Sequence, residues 1–133
     1  MINPLSTSIS GLIAASQKAK VASTNITNAD VVGSTNPSDA NQAYTPKITQ
    51  DTNLEGQGVK TMVLNRTPAF VPSYQPDSPF ADTEGIVNAP NVNLDEELMT
   101  LKLAENSYKA NSTAFKAGLK MQDTLQEALD TKS

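Results

Sequence analysis

Histidine, cysteine and tryptophan are absent from this 133-residue chain, and arginine occurs once, at Arg66. Without imidazole or thiol, the chain lacks the usual ligands of zinc and the common nucleophile–base pairs, so no metal site is expected. Without cysteine, no disulfide framework can staple a small fold. That absence suits a protein crossing into an oxidising space, and equally a small protein that lacks cysteine by chance. A formal net charge of −4 leaves no broad basic face to neutralise phosphates. Nucleic acid and anionic membrane surfaces are therefore not expected partners. No stretch approaches the ~18 consecutive apolar residues of a membrane span, so no direct membrane insertion is expected. Residues 1–20 show no basic start followed by a long apolar run, and no cleaved signal peptide is expected.

Large apolar groups are also scarce: hydrophobic residues make up 38% and aromatics 5%. Burial stabilises by roughly 25 cal/mol per Å² of apolar area, while ordering the backbone costs about 1–2 kcal/mol per residue. The chain is the size of one domain, but it can build only a thin core. A marginal monomer that gains structure against neighbouring subunits is expected. Ser, Thr and Asn together number 38, a polar, uncharged surface common in secreted and self-associating proteins.

What the chain does contain falls into three segments, 1–33, 34–92 and 93–133. The first reads as a helix from Pro4 to Asn28, with Asn3 as N-cap and Pro4 at the first helical position. Leu5, Leu12, Ala19 and Ile26 recur every seven residues, with Ser8, Ala15 and Ala22 three positions later. This narrow, alanine-rich stripe suits close packing against another helix. The middle segment holds seven of the eight prolines and cannot be a long helix. Residues 31–53 read as a mobile loop. Val59 to Arg66 is the best strand, preceded by a Gly56-Gln57-Gly58 turn, with Tyr44 to Gln50 as a candidate partner. The run from Thr67 to Pro79 must be extended, at best an edge.

The third segment is a helix. Asn93 and Glu96 form a capping box, and Asp95, Glu96 and Glu97 lie where the helix dipole favours negative charge. Leu94, Leu98, Leu101, Tyr108, Phe115, Leu119, Leu125 and Leu129 form its apolar stripe. A helix from Leu94 to Asp130 would be roughly 55 Å long at 1.5 Å per residue. Ala110, Ala114 and Gly118 form a small-residue ridge that lets another backbone approach. Glu105 and Lys109 are a favourable i,i+4 pair. The fold expected is mainly α with a small β insert: long terminal helices paired as a coiled coil around a proline-rich extended or β middle.

No catalytic constellation survives inspection. Asp77, Asp82 and Glu84 lack EF-hand spacing. Gly56-x-Gly58 precedes a strand and opens no helix, so it is no phosphate cradle. Asp95, Glu96 and Glu97 are consecutive and cannot all face one substrate. Asn25, Asn65 and Asn111 begin N-x-Ser/Thr triplets, as chance allows in so Asn/Thr-rich a chain. The chain is expected to be no enzyme, with no cofactor and no small-molecule substrate.

Two blocks carry a resemblance. Ala22-Ser23-Thr24-Asn25-Ile26-Thr27-Asn28-Ala29 resembles the N-terminal Asn-Ile-Ala-Asn-Ala signature of flagellar rod and hook proteins. Thr27 and the Asp30-Val31-Val32-Gly33 loop depart from it. Pro90-Asn91-Val92-Asn93, running into Glu96-Glu97-Leu98-Met99, resembles the Pro-Asn-Val-Asn and Glu-Glu-Met signature of proximal-rod subunits of the FlgC type. Tyr108-Lys109-Ala110-Asn111 and Lys116-Ala117 to Met121 are similar to the motifs that follow it.

The resemblance implies a structural subunit of the basal-body rod, exported by the flagellar type III apparatus without signal cleavage. It implies terminal helices packed into a tube, with the insert facing outward. Implied partners are other rod subunits, neighbouring basal-body proteins and the export apparatus; the implied location is the rod, which spans the periplasm. Helix packing is expected to use Leu5, Leu12, Ala19, Asn25, Ile26, Asn28, Leu98, Leu101, Tyr108, Ala110, Asn111, Ala114, Phe115, Gly118 and Leu129. Each apolar residue among them fits an ordinary intramolecular core equally well. Glu96, Glu97, Lys102, Lys109, Lys116 and Lys120 are candidates for rim charge pairs that set subunit register. A different type III-exported helical adaptor, docking through its last helix, is the alternative; deletion of residues 1–28 would spare that function and abolish rod assembly.

Overall fold

The computed structural model, which describes residues 3 to 132, is mainly helical, with two antiparallel hairpins between two long helices. Helix α1 spans Pro4–Thr27, strand β1 Lys47–Leu54, β2 Gly58–Asn65, β3 Phe70–Tyr74, β4 Ile86–Pro90, and helix α2 Leu94–Asp130.

Local chemistry sets the helix ends. Asn3 has extended backbone and its side-chain oxygen accepts from the Leu5 N–H, with Pro4 in the first turn. At the other end, the backbone N–H and side-chain amide of Asn28 both donate to the Thr24 carbonyl, at 3.1 and 2.8 Å. These bonds satisfy groups a helix terminus otherwise leaves open. Asn93 starts α2 by accepting from the N–H groups of Asp95 and Glu96. The return arm expected of a capping box is not made: Glu96 reaches for Arg66 instead, at 3.9 Å.

The first hairpin pairs β1 with β2, in register Thr49 with Val63 and Asp51 with Thr61. Its turn closes on Gly58, whose φ of +94° favours glycine. A methyl group there would also lie 2.0 Å from Ser10 Oγ on α1. Sequence reasoning placed the partner strand at Tyr44–Gln50; it lies further along, because Lys47 is the residue anchored to α1 and Tyr44 is held by the end of that helix.

The second hairpin, β3 with β4, runs in register from Phe70–Pro90 to Tyr74–Ile86. Pro72 sits opposite Asn88. In a two-stranded sheet both strands are edges, so the missing N–H of Pro72 is tolerated. The loop after α1 is tied down: Gly33 and Asn88 exchange two backbone hydrogen bonds of 2.9 Å, and the Tyr44 N–H donates to the Val31 carbonyl. Gly33 fits because a methyl there would come within 2.1 Å of the Ala43 nitrogen. Residues 31–53, read as a loop apart from the candidate strand at Tyr44–Gln50, thus carry a bridge at Gly33 and all but the last residue of β1.

The helices pack side by side and antiparallel. Leu5 lies against Gly118, Gly11 against Asn111, and Asn25 against Glu97. Among the described residues the buried apolar side chains are Ala14, Ala15, Ala22, Ala43, Val87 and Ala104, with the prolines Pro46 and Pro90. Alanine brings backbones close but contributes only about one methyl of burial, of order 0.8 kcal/mol. The large apolar side chains lie mostly outside: Ile13, Leu103, Met121, Leu125 and Leu129 are each at least 60% exposed. Among the described residues no helix is long and apolar enough to cross a membrane.

Candidate functional site

Within this alanine seam sits one fully buried amide. Asn25 has no exposure and Glu97 is 4% exposed. The Asn25 Oδ1 accepts from the Lys47 N–H at 3.0 Å, and its Nδ2 donates to the Lys47 carbonyl at 2.8 Å. The side chain therefore pairs with the first residue of β1 as a neighbouring strand would. The same Oδ1 accepts from the Tyr44 hydroxyl at 2.9 Å, and the same Nδ2 donates to Glu97 Oε1 at 3.0 Å. Four partners fill the amide's capacity.

Glu97 is the second node. Its Oε1 accepts from Arg66 Nη2 at 3.0 Å as well as from Asn25. Arg66 leaves β2 with its N–H donating to the Pro46 carbonyl, which sets the guanidinium over the start of α2. A guanidinium is weakly hydrated and forked, so it suits a half-buried ion pair better than an ammonium does. Arg66 Nε is buried and unpartnered among the described residues. Burial pushes the Tyr44 hydroxyl above its ordinary pKa, with the Glu97 charge adding to it, so it stays a donor at neutral pH. The network ties both helices and the first hairpin at one point. A buried ion pair is weak evidence for net stability; what it enforces here is register, because only one alignment satisfies all its members.

A second tie lies further along α1. Lys18 Nζ and Thr61 Oγ1 both reach Asp51, the latter at 2.8 Å. Burial raises the Asp51 carboxyl, but these hydrogen bonds outweigh it and hold the pKa below the usual carboxylate value. A depressed folded pKa contributes stability that is complete above the unfolded value of about 3.9 and is lost as pH falls through the lower folded value. The first hairpin should therefore loosen from α1 below about pH 4. The check is amide exchange in β2 against pH, compared with Asp51→Asn. Identical acid dependence in the two proteins would remove Asp51 as the cause.

The residues singled out from sequence divide by position. Leu12 and Tyr108 line one hollow between the helices. Ala19, Leu101 and Tyr108 line its neighbour. Leu5, Asn111 and Gly118 meet in the seam. Ile26 and Phe115 are half-buried, Asn28 caps α1, and Leu98, Ala110, Ala114 and Leu129 are exposed. In the second block, Pro90 is buried at the end of β4 and Val92 half-buried. The Asn91 side chain donates to the Pro68 carbonyl at 2.9 Å, and Asn93 is the N-cap. Glu97, read as a rim charge, is internal. Lys102 and Lys109, also read as rim charges, both bond Glu105 of their own helix and hold its carboxyl pKa low. Tyr44 and Arg66 were missed as site residues; the one signal for Arg66 was its being the only guanidinium in a chain of lysines.

Two family models match. The one described as "Flagella basal body rod protein" covers residues 5–34, and "Flagellar basal body rod FlgEFG protein C-terminal" covers residues 83–128. Asn25 and Glu97 fall inside these matches; Tyr44 and Arg66 fall between them. The flagellar basal-body rod protein FlgC of Agrobacterium fabrum is 35% identical over 106 residues, 77% of this chain and 76% of its own. Those of Salmonella typhimurium and Yersinia enterocolitica are 36% and 34% identical, each over 77% of this chain and 78% of their own. With that identity running over three quarters of both partners, the chain belongs to the FlgC family of flagellar basal-body rod proteins.

Proposed function

We propose that this chain is a structural subunit of the bacterial flagellar basal-body rod, in its proximal part, and that it performs no catalysis. The observation that carries the reading is its similarity to FlgC relatives over three quarters of its length. The helices add a physical reason: large apolar side chains of α2 are left in water while the intramolecular seam is filled with alanine and glycine. Isolated apolar surface is ordinary, but this many large apolar side chains exposed along one helix mark a partner surface.

In this reading residues 1–33 and 93–133 form the axial core and pack as a coiled coil with neighbouring subunits; residues 34–92 face outward. Leu98 and Leu129, exposed in the single chain, make contacts between subunits, whereas Leu5, Ala19 and Gly118 serve within it. The partners are other rod subunits and adjacent basal-body proteins, reached through the flagellar type III apparatus without a cleaved leader. The test is electron cryotomography of cells lacking the gene. Membrane rings without a rod, with the rod restored by the intact gene, are expected. Normal rods in the deleted strain would overturn the reading.

A further inference from the structure

The groups that make the buried amide and carboxylate tolerable come from one stretch of chain, the first hairpin and the residues at its base. Of the four partners of Asn25, three lie in residues 44–47: the Tyr44 hydroxyl, and the N–H and carbonyl of Lys47. The close cation of Glu97, Arg66 Nη2, stands just past the end of β2. The helices themselves supply the bond between Asn25 and Glu97. Glu97, Ala104, Asn111 and Gly118 recur every seven residues, so Glu97 holds a seam position facing α1. Its neighbours in the seam include Ala22 and Ala104, both buried. Closing the helices over Glu97 without Arg66 leaves a carboxylate unpaired in that seam, and burial of a few methyl groups does not offset it.

The hairpin that delivers these groups is held on by polar ties. Lys47 gives both its N–H and its carbonyl to Asn25, so they point away from β2. The ladder bonds therefore run between Ile48 and Leu64 and between Gln50 and Met62. Side chains alternate across the sheet. The face turned to α1 carries Asp51, bonded to Lys18, with Thr49, Thr61 and Val63. On the other face Ile48, Met62 and Leu64 are 38%, 46% and 38% exposed. Near the tip, the Val59 N–H adds one bond to Ser10 Oγ. At the base a cavity of about 170 Å³ remains between hairpin and helices, lined by Lys18, Lys47, Arg66, Glu97 and Thr100 among others. An element fixed by a few hydrogen bonds, with little apolar burial, opens as a unit.

We propose that the first hairpin is a detachable strap on which the pairing of α1 with α2 depends. With the strap docked, Arg66 neutralises Glu97 and the seam closes. With the strap off, the charge of Glu97 holds the helices apart. The helices of a chain whose middle segment has not folded therefore stay open. This coupling is a property of the single chain and does not depend on the rod-subunit reading.

The chain has no cysteine, so helix pairing can be read from one introduced disulfide. Leu5→Cys with Gly118→Cys joins two positions in contact across the seam, about 30 Å along α2 from Glu97 at 1.5 Å per residue. The purified full chain carrying this pair is the parent, and its intrachain disulfide is followed under diamide. Adding Met62→Pro and Leu64→Pro removes two ladder N–H groups at exposed positions, which melts the hairpin and keeps Asn25, Arg66 and Glu97 in the chain. Disulfide formation should then be at least tenfold slower than in the parent. Adding Glu97→Leu to the proline variant should return the rate to within about threefold of the parent, with the Val59 amide still exchanging as in the melted hairpin. Arg66→Gln in the parent should also slow the disulfide at least tenfold, with the Leu64 amide still protected. An unchanged rate in the proline variant would overturn the coupling, since the helices would then close with Glu97 in water. Failure of Glu97→Leu to restore the rate would overturn it too, because the hairpin would then support the helices by packing and not by covering a charge. A parent that forms no disulfide would mean that the helices do not pair in the single chain, which ends the idea and leaves the rod reading intact.

Discussion

Replacing Asn25 by leucine is expected to destabilise the chain by about 3 kcal/mol or more, although leucine is close in size and the site is buried. The substitution strands the part-buried Lys47 N–H and carbonyl; an unsatisfied buried group costs about 1–3 kcal/mol, and the lower end applies to these two. It also removes a donor from Glu97 and an acceptor from Tyr44. Tyr44 is only half-buried and recovers part of its loss from water. Against a total stability of roughly 5–15 kcal/mol for an ordinary domain, the loss is a large share. Urea unfolding followed by far-UV circular dichroism measures it as a fall in midpoint at unchanged slope. A fall worth less than about 1 kcal/mol would mean that water replaces the amide and that the network is not a lock.

Glu97→Ala should have a comparable effect by a different route. It leaves the Arg66 guanidinium half-buried without its main partner, and breaking a buried pair from one side typically costs about 3–5 kcal/mol. The lower end applies, because Arg66 keeps the more distant Glu96 and some solvent. The informative comparison is the double variant Arg66→Met with Glu97→Leu. Replacing both charges with apolar groups is often near neutral, so the double variant should recover most of the stability lost by Glu97→Ala. If it is as unstable as the sum of the single variants, the pair is not coupled and Glu97 matters only through Asn25. Stability alone would miss one consequence: with the charges gone, the register of the helices is no longer specified by an ion pair, and rod assembly should suffer more than folding.

Both helices were legible because their boundaries are written in short-range chemistry. Asn3-Pro4 and Asn93 with the acids behind it announce helix starts within a few residues. The Gly56-Gln57-Gly58 turn gave away one hairpin in the same way. Strand β4 was not visible as a strand: Ile86-Val87-Asn88-Ala89 is short and not alternating, and what makes it a strand is pairing with β3 and with Gly33 far back in the chain. The lock was half legible. Asn25 and Glu97 stand in recognisable motifs, yet Glu97 looked like a helix-dipole acid. It is one, and its place seven residues before Ala104 in the seam also buries it. Arg66 could not be matched to Glu97 from sequence, since their pairing depends on the first hairpin folding against both helices. The proline-rich middle followed local rules at Pro72 and again between β3 and β4, where Asp82 accepts from the Glu84 and Ile86 N–H groups and organises the loop, a short-range signal that sequence reasoning passed over.

The alanine core has a thermal consequence. The heat capacity of unfolding grows with the apolar surface newly given to water, about 12–15 cal/mol/K per residue in ordinary domains. In this chain much of that surface, from Ile13 to Leu129, is already hydrated before unfolding begins. Its heat-capacity increment per residue should therefore be small and its stability curve shallow. Packing against neighbours would remove that surface from water only on assembly, so the strong temperature dependence typical of a hydrophobic core would belong to the polymer and not to the single subunit.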